Sequence, residues 1–385
     1  MATTTFPAAD ASGLLAFGRT LRDGARRLAE LAATPLVPAD YLDVFNPLRP
    51  GADLRGRIVS ITPETEDAAT IVIRPGADWA GHVPGQYVRI GIDVDGVRLW
   101  RAYSLTHGPR ADGLISITVK AVPDGKVSNH LVRDAHPGTL VHLEQAAGEF
   151  VLPTPSGSNE PGEIKLLFVT AGSGITPVIG MLRNLFPVAE SGAVRLPRSA
   201  AYDILVVHVA PSEPHSIFND NLHALADAGM IRLVARYDDE HGVLDVDDLS
   251  DLVPDLSERT TFACGPAGLL DALERHHEQR GLELLTEQFR LATLVVGEGG
   301  SVNFLQSDTE IKAAGDRPIL DEAEDAGVLM PSGCRMGICY GCVLPLREGT
   351  VRDLRTGEIT TAVEGDGVRI QTCINAAAGS CQIDH

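Results

Sequence analysis

The sequence predicts a multidomain chain of three successive units: an antiparallel β-barrel, an α/β domain built on a parallel sheet, and a third unit that carries most of the cysteines. Three observations predict it. Between residues 54 and 155, short β-rich runs are separated by Gly, Pro and Asp turns, the texture of a barrel or sandwich. Past residue 162, buried-strand runs alternate with helical stretches, which calls for a parallel sheet with crossover helices. From residue 297 onward the chain holds five of its 6 cysteines.

At 385 residues the length suits two or three domains, and 44% hydrophobic with 22% charged residues is a globular balance. The formal charge of −20 argues against nucleic acid as a partner, because phosphate binding needs basic surface. An aromatic share of 5% leaves little for base stacking. No apolar run is long enough for a membrane-spanning helix, and no secretory signal pattern opens the chain. A cytoplasmic protein with reduced thiols is therefore expected.

Residues 1–52 read as a leader. Leu14, Phe17, Leu21, Leu28 and Leu31 recur at helical spacing with Arg19, Arg22, Arg26 and Arg27 between them. The expectation is an amphipathic helix packed on the body; proximity to a membrane through its basic face is the alternative, and disorder a third. The barrel domain spans residues 53–155, with strands expected at 57–62, 69–74, 86–92, 99–105, 113–121 and 140–144, and one helix near 127–134. A Pro- and Ser-rich linker follows at 153–161. Residues 162–290 form the α/β domain, with strands at 165–170, 203–209, 232–236 and 260–264. The third unit, residues 297–385, carries 14 acidic and 7 basic side chains.

In that unit Cys334, Cys339, Cys342 and Cys373 follow a C-x4-C-x2-C…C pattern. Four thiolates at this spacing match a [2Fe–2S] site. A structural zinc site would more usually show two paired C-x2-C knuckles, and there is one here. Cys381 falls outside the pattern and reads as a buried thiol.

On these residues and on Gln371-Thr372-Cys373, the last unit resembles a plant-type ferredoxin, which implies an α+β β-grasp fold. The two preceding domains resemble the flavin and pyridine-nucleotide domains of the ferredoxin–NADP reductase superfamily. The domain order is similar to that of single-chain reductases feeding oxygenases and desaturases. Residues 34–38, 41–42 and 331–342 look closest to actinobacterial reductases that supply membrane fatty-acyl desaturases.

The resemblance assigns sites. Arg101-Ala102-Tyr103-Ser104 fits the family's R-x-Y-S, placing Arg101 on the flavin phosphates, Tyr103 against the isoalloxazine and Ser104 near its N5. Gly125-Lys126-Val127-Ser128 opens the helix of this domain, a place suited to phosphate, although Ser128 reads equally as an N-cap. Lys120 joins the cofactor-binding candidates. FAD is expected over FMN. In the α/β domain, Gly172-Ser173-Gly174-Ile175-Thr176-Pro177 resembles the family's G-x-G-I-T-P, with Thr176 where nicotinamide and flavin meet. Cys264-Gly265-Pro266 matches C-G-P, whose thiol shapes the hydride-transfer pocket; a cysteine there, taken alone, is a core residue. Glu287 and Phe289 are expected to border the flavin.

NADPH is expected over NADH, with Arg236 as the best candidate for the 2′-phosphate, since residues 210–221 carry only His215 as a basic side chain. The implied function is electron transfer from NAD(P)H through FAD and the cluster to a partner protein. A membrane di-iron desaturase is the first choice and a soluble oxygenase component the second; a redox-sensing protein without turnover is the reading from another class. The acidic last unit is expected to dock a basic partner face.

Overall fold

The computed structural model describes residues 42–43, 45–94, 97–123, 125–153, 164–187, 202–289, 298–333, 335, 337 and 340–385. The predicted leader helix, most of the linker, Cys334 and Cys339 lie outside the described residues.

A small unit gathers the described residues from Leu42 to Arg55 with Gly76–Trp79. It is held by Ala77 N–H donating to Leu48 O (3.0 Å), Gly76 N–H to Arg55 O (2.7 Å), and Gly51 N–H to the Asp78 carboxylate (2.6 Å).

The remainder forms the second unit, and it contains three sheets. In the first, β1 (Arg55–Thr65), β2 (Ala68–Pro75), β3 (Tyr87–Val94), β4 (Val97–Ser104), β5 (Ile115–Lys120) and β6 (Leu140–Leu143) run in the order β4-β3-β6-β1-β2-β5. An antiparallel bridge from Leu105 to Ile117 joins the two edges, and Thr106 N–H donates to Ser116 O (2.9 Å). Closure removes the exposed edges and makes this a barrel rather than a sandwich. Ile58, Ile71, Ile73, Ile90 and Ile117 alternate inward and are almost wholly buried. The expected helix is one α turn, α1 (Lys126–Asn129), continued by a π-helical turn through Asp134.

The second sheet is parallel: β7 (Ile164–Ala171), β8 (Tyr202–Ala210), β9 (Arg232–Tyr237), β10 (Thr260–Cys264) and β11 (Leu284–Glu287), ordered β11-β10-β7-β8-β9. Helices α2 (Ile175–Leu185), α3 (Asn219–Asp227), α4 (Asp238–His241), α5 (Leu249–Leu252) and α6 (Ala267–Arg280) connect the strands. The apolar sides of α2 and α3 cover one face, and those of α5 and α6 the other. Strand β11 corrects the sequence reading, which ended the sheet at Cys264. At four residues, and only partly buried, it lacks the apolar run that marks its neighbours.

Phe150, at the end of the barrel domain, packs edge-on against Phe262 of β10 at 5.3 Å. Such an aromatic pair contributes roughly 0.5–1.5 kcal/mol beyond its buried area. Arg183 of α2 adds a second tie: it donates to Thr106 O (3.2 Å), and its guanidinium stands 4.6 Å from the Phe218 ring centroid.

The third sheet is mixed. It comprises β12 (Gly300–Phe304), β13 (Thr309–Ala313), β14 (Val343–Asp353), β15 (Ile359–Ala362) and β17 (Asn375–Ile383), ordered β13-β12-β17-β14-β15, with β16 (Arg369–Gln371) paired to β14. β12 and β17 are parallel, and the other pairs are antiparallel. Ile319, Leu320 and Ala323 of α7 (Ile319–Asp325) pack into its core, giving the β-grasp arrangement. Cys381 of β17 is a buried thiol whose pKa burial pushes up to about 12.

Candidate functional site

In the parallel sheet, β8 and β9 extend to one side of β7 and β10 lies on the other. The crevice at the carboxyl ends of β7 and β10 is therefore the topological switch point, where open α/β sheets bind ligands. Gly172, Gly174 and Thr176 follow β7, and Cys264, Gly265 and Pro266 end β10, so the structure brings these two sets together. A Cβ on Gly174 would stand 2.0 Å from the Cys264 carbonyl oxygen, so only glycine admits this approach. Thr176 is buried and donates to Ser173 O (2.9 Å). Cys264 is wholly buried in register with Glu287 of β11. Burial, and then the Glu287 charge, push its thiol well above the ordinary value, which suits a pocket wall and not a nucleophile.

A cleft of about 770 Å³ runs from Ala171, Val209 and Pro266 along α6. Its basic lining residues are Arg275 and His276. Arg236, the sequence candidate for the 2′-phosphate, is not among the lining residues; it donates to His241 O (3.2 Å). Acidic Asp238, Asp245 and Asp247 also line the cleft.

The second constellation is a cavity lined by Tyr87, Arg101, Ala102, Ser104, Glu287, Phe289 and Arg335. The cavity thus gathers the barrel motif, the end of the α/β domain and the residue after Cys334. Ser104 ends β4 at 4% exposure, and its hydroxyl has no hydrogen-bond partner among the described residues. Burial raises the Tyr103 hydroxyl far above its ordinary value. Burial, and then the neighbouring Arg335, lower Arg101; its guanidinium donates to Trp100 O (2.8 Å) and lies 3.8 Å from Glu324. Glu287 has a carboxylate oxygen buried without a partner, and desolvation raises its pKa to about 8. Both junction residues expected from the sequence, Glu287 and Phe289, thus border the cavity.

The phosphate candidates behave differently. Ser128 is no N-cap: its hydroxyl donates to Gly125 O (3.2 Å) and accepts from Val122 N–H (3.3 Å), shaping the turn before α1. Val127 is buried, and Lys126 points its ammonium to Asp325 at 3.9 Å. Lys120 is paired with Asp67 (3.2 Å) and does not line the cavity.

Among the described residues no three metal-ligating side chains gather; Cys334 and Cys339 lie outside them. The remaining pair fits the donor chemistry of a cluster. Cys342 and Cys373 are 1% and 2% exposed, and a hydrogen bond from Cys373 lowers the Cys342 thiol to about 6. Thr372 donates its hydroxyl to Cys342 O (3.0 Å), and Arg335, Gly337 and Tyr340 take the left-handed backbone that curls the loop. The unpartnered Ser104 hydroxyl and the Gly174 approach likewise fit a flavin and a dinucleotide.

Sequence reasoning missed Arg335 and Glu324. Arg335 sits in the cysteine loop and Glu324 in an acidic stretch with no motif, and only the fold sets them beside Arg101.

The model of the oxidoreductase FAD-binding domain matches residues 58–152. That of the 2Fe-2S iron-sulfur cluster binding domain matches residues 302–383. An NADPH oxidoreductase of Mycobacterium tuberculosis is 43% identical over 367 residues, covering 93% of this chain and 91% of its own. The chain belongs to the flavin and iron–sulfur reductases of the ferredoxin–NADP reductase type. This reductase is an oxidoreductase built for NAD(P)H, FAD and a [2Fe–2S] cluster. The glycine betaine monooxygenase reductase subunit of Pseudomonas aeruginosa is 27% identical over 331 residues, 78% of this chain and 87% of that one. Among solved structures, phthalate dioxygenase reductase shares the fold, with a TM-score of 0.56 at 20% identity over 86% of this chain and 97% of that one. Among the described residues no helix is long and apolar enough to cross a membrane.

Proposed function

We propose that this reductase takes electrons from NADPH and delivers them singly to an iron-centred oxygenase component. The observation that carries the reading is the cavity in which Arg101, Ala102 and Ser104 meet Glu287, Phe289 and Arg335. It brings together the flavin motif, the end of the nucleotide domain and the cluster loop. When bound, the flavin accepts two electrons as hydride and releases them one at a time to the cluster.

The chain's own residues do the positioning. Arg101 clamps the flavin phosphates, with the Gly125–Ser128 turn as the second phosphate contact. Tyr103 packs on the ring system, and Ser104 turns its free hydroxyl toward the ring edge. Thr176 and Cys264 wall the nicotinamide pocket, and buried Cys264 excludes water from it. Glu287 keeps its proton at neutral pH, so no carboxylate charge opposes the electrons arriving beside it. Cys334, Cys339, Cys342 and Cys373 hold the cluster.

NADPH is supported by the name of the 43% identical relative. The oxygenase acceptor is supported by relatives described as reductase subunits of a glycine betaine monooxygenase and a stachydrine N-demethylase. A membrane desaturase is the second reading, supported by the resemblance of residues 34–38 and 331–342. Reconstitution with each acceptor class, scored as product per NADPH consumed, tests it. Coupled turnover with oxygenase components is expected; coupling only with a desaturase reverses the order, and uncoupled oxidation with both overturns the assignment.

A further inference from the structure

Glu324 of α7 is 7% exposed and serves two cations from different domains. One carboxylate oxygen accepts from Arg335, the residue after Cys334; the other faces Arg101 of β4 at 3.8 Å. Arg335 is also held by Asp321, one turn earlier on α7. Two further contacts cross the same boundary: Arg89 of β3 donates to Ser332 O, and Lys126 approaches Asp325 at 3.9 Å. Of the acids of α7, Glu324 and Asp325 thus face cations of the barrel, while Asp321 and Asp325 also pair with Arg335 and Arg317 of their own domain.

Arg101 and Arg335 both line the flavin cavity, and the Glu324 carboxylate, which contacts both, offsets the repulsion between the two guanidiniums. A buried carboxylate contacting two cations costs far more to neutralise than a surface ion pair.

We propose that Glu324 is a positioning residue for internal electron transfer: it clamps the cluster loop to the flavin-binding strand by bridging Arg335 and Arg101. The inference rests on the reductase reading above. Electron transfer falls steeply with separation, so loosening the clamp slows the step from flavin to cluster while leaving hydride transfer intact.

The test is anaerobic stopped-flow of the holoenzyme with NADPH, following flavin and cluster absorbance separately in wild type, Glu324→Gln, Glu324→Asp and Asp321→Asn. In Glu324→Gln the flavin should bleach within about twofold of the wild-type rate while the cluster is reduced about tenfold more slowly, a loss in the range that misplaced reacting groups produce. Glu324→Asp, which keeps the charge, should recover part of that loss. Asp321→Asn touches only Arg335 and should transfer at nearly the wild-type rate. Hydrogen exchange of the 319–333 amides, read without turnover, should rise in Glu324→Gln. Cluster reduction at the wild-type rate in Glu324→Gln, or an equal loss in Asp321→Asn, overturns the proposal. If NADPH fails to bleach the wild-type flavin, the reductase reading falls first and takes this inference with it.

Discussion

The backbone of Gly174 approaches that of Cys264 so closely that a Cβ at residue 174 would lie 2.0 Å from the Cys264 carbonyl oxygen. The obstacle is a strand carbonyl and not a side chain that can swing away. Gly174→Ala should therefore destabilise the fold by about 1–3 kcal/mol, as overpacking does. It should also weaken NADPH, because both halves of the nucleotide crevice are displaced. Thermal melts and the KM for NADPH check this, and a variant that melts and binds like wild type would refute the close-approach account.

Ser104 separates stability from function. Its hydroxyl is buried without a partner, so Ser104→Ala removes an unsatisfied group and should leave the apoprotein's Tm unchanged or slightly higher. Flavin reduction by NADPH should nevertheless slow about tenfold or more, the scale of losing one donor aimed at a reacting centre. Melts of apoprotein beside single-turnover reduction of holoenzyme decide it.

Glu287 predicts a pH dependence. Desolvation raises its pKa from 4.5 to about 8 in the fold. Below the lower value the carboxyl is protonated in both folded and unfolded chains, and contributes nothing. Between the two values the unfolded chain ionises while the fold retains the proton, so stability falls as pH rises. Glu287→Gln removes that loss. Its Tm advantage over wild-type apoprotein should be absent near about pH 4, grow through neutrality, and level off above about pH 8. A constant advantage across the series would show that Glu287 is not protonated in the fold.

Cys373→Ser should abolish the cluster's paramagnetic signal and the reduction of one-electron protein acceptors. Ferricyanide reduction, which flavin serves directly, should persist. Cys381→Ser should keep the cluster, since Cys381 lies within β17 opposite Gly349 of β14. Loss of ferricyanide reduction in Cys373→Ser would contradict the order of carriers.

Much of this was legible in the sequence because it is local. The barrel strands alternate, the parallel strands are continuous apolar runs, and the motifs around Arg101, Gly174, Cys264 and Cys342 each sit on one turn or strand end. What was not legible depends on contacts between distant segments. Strand β11 is short and half-buried, and its pairing with β10 decides it. Arg236, expected at the 2′-phosphate from its place after a strand, donates to His241 O, and Arg275 lines the cleft; neither placement is written in the local sequence. Ser128 has the composition of a cap, yet it bonds within its own turn. The acidic count of the last unit does not tell which acids face inward: Asp321, Glu324 and Asp325 engage Arg335, Arg101 and Lys126, contacts that only the fold sets up.

The central claim, one chain passing electrons from nucleotide through flavin to cluster, is tested most directly by anaerobic titration with NADPH under absorbance. The account predicts that the flavin and cluster bands both bleach, with three electrons taken up per chain. Bleaching of the flavin alone, or of neither band, would contradict it.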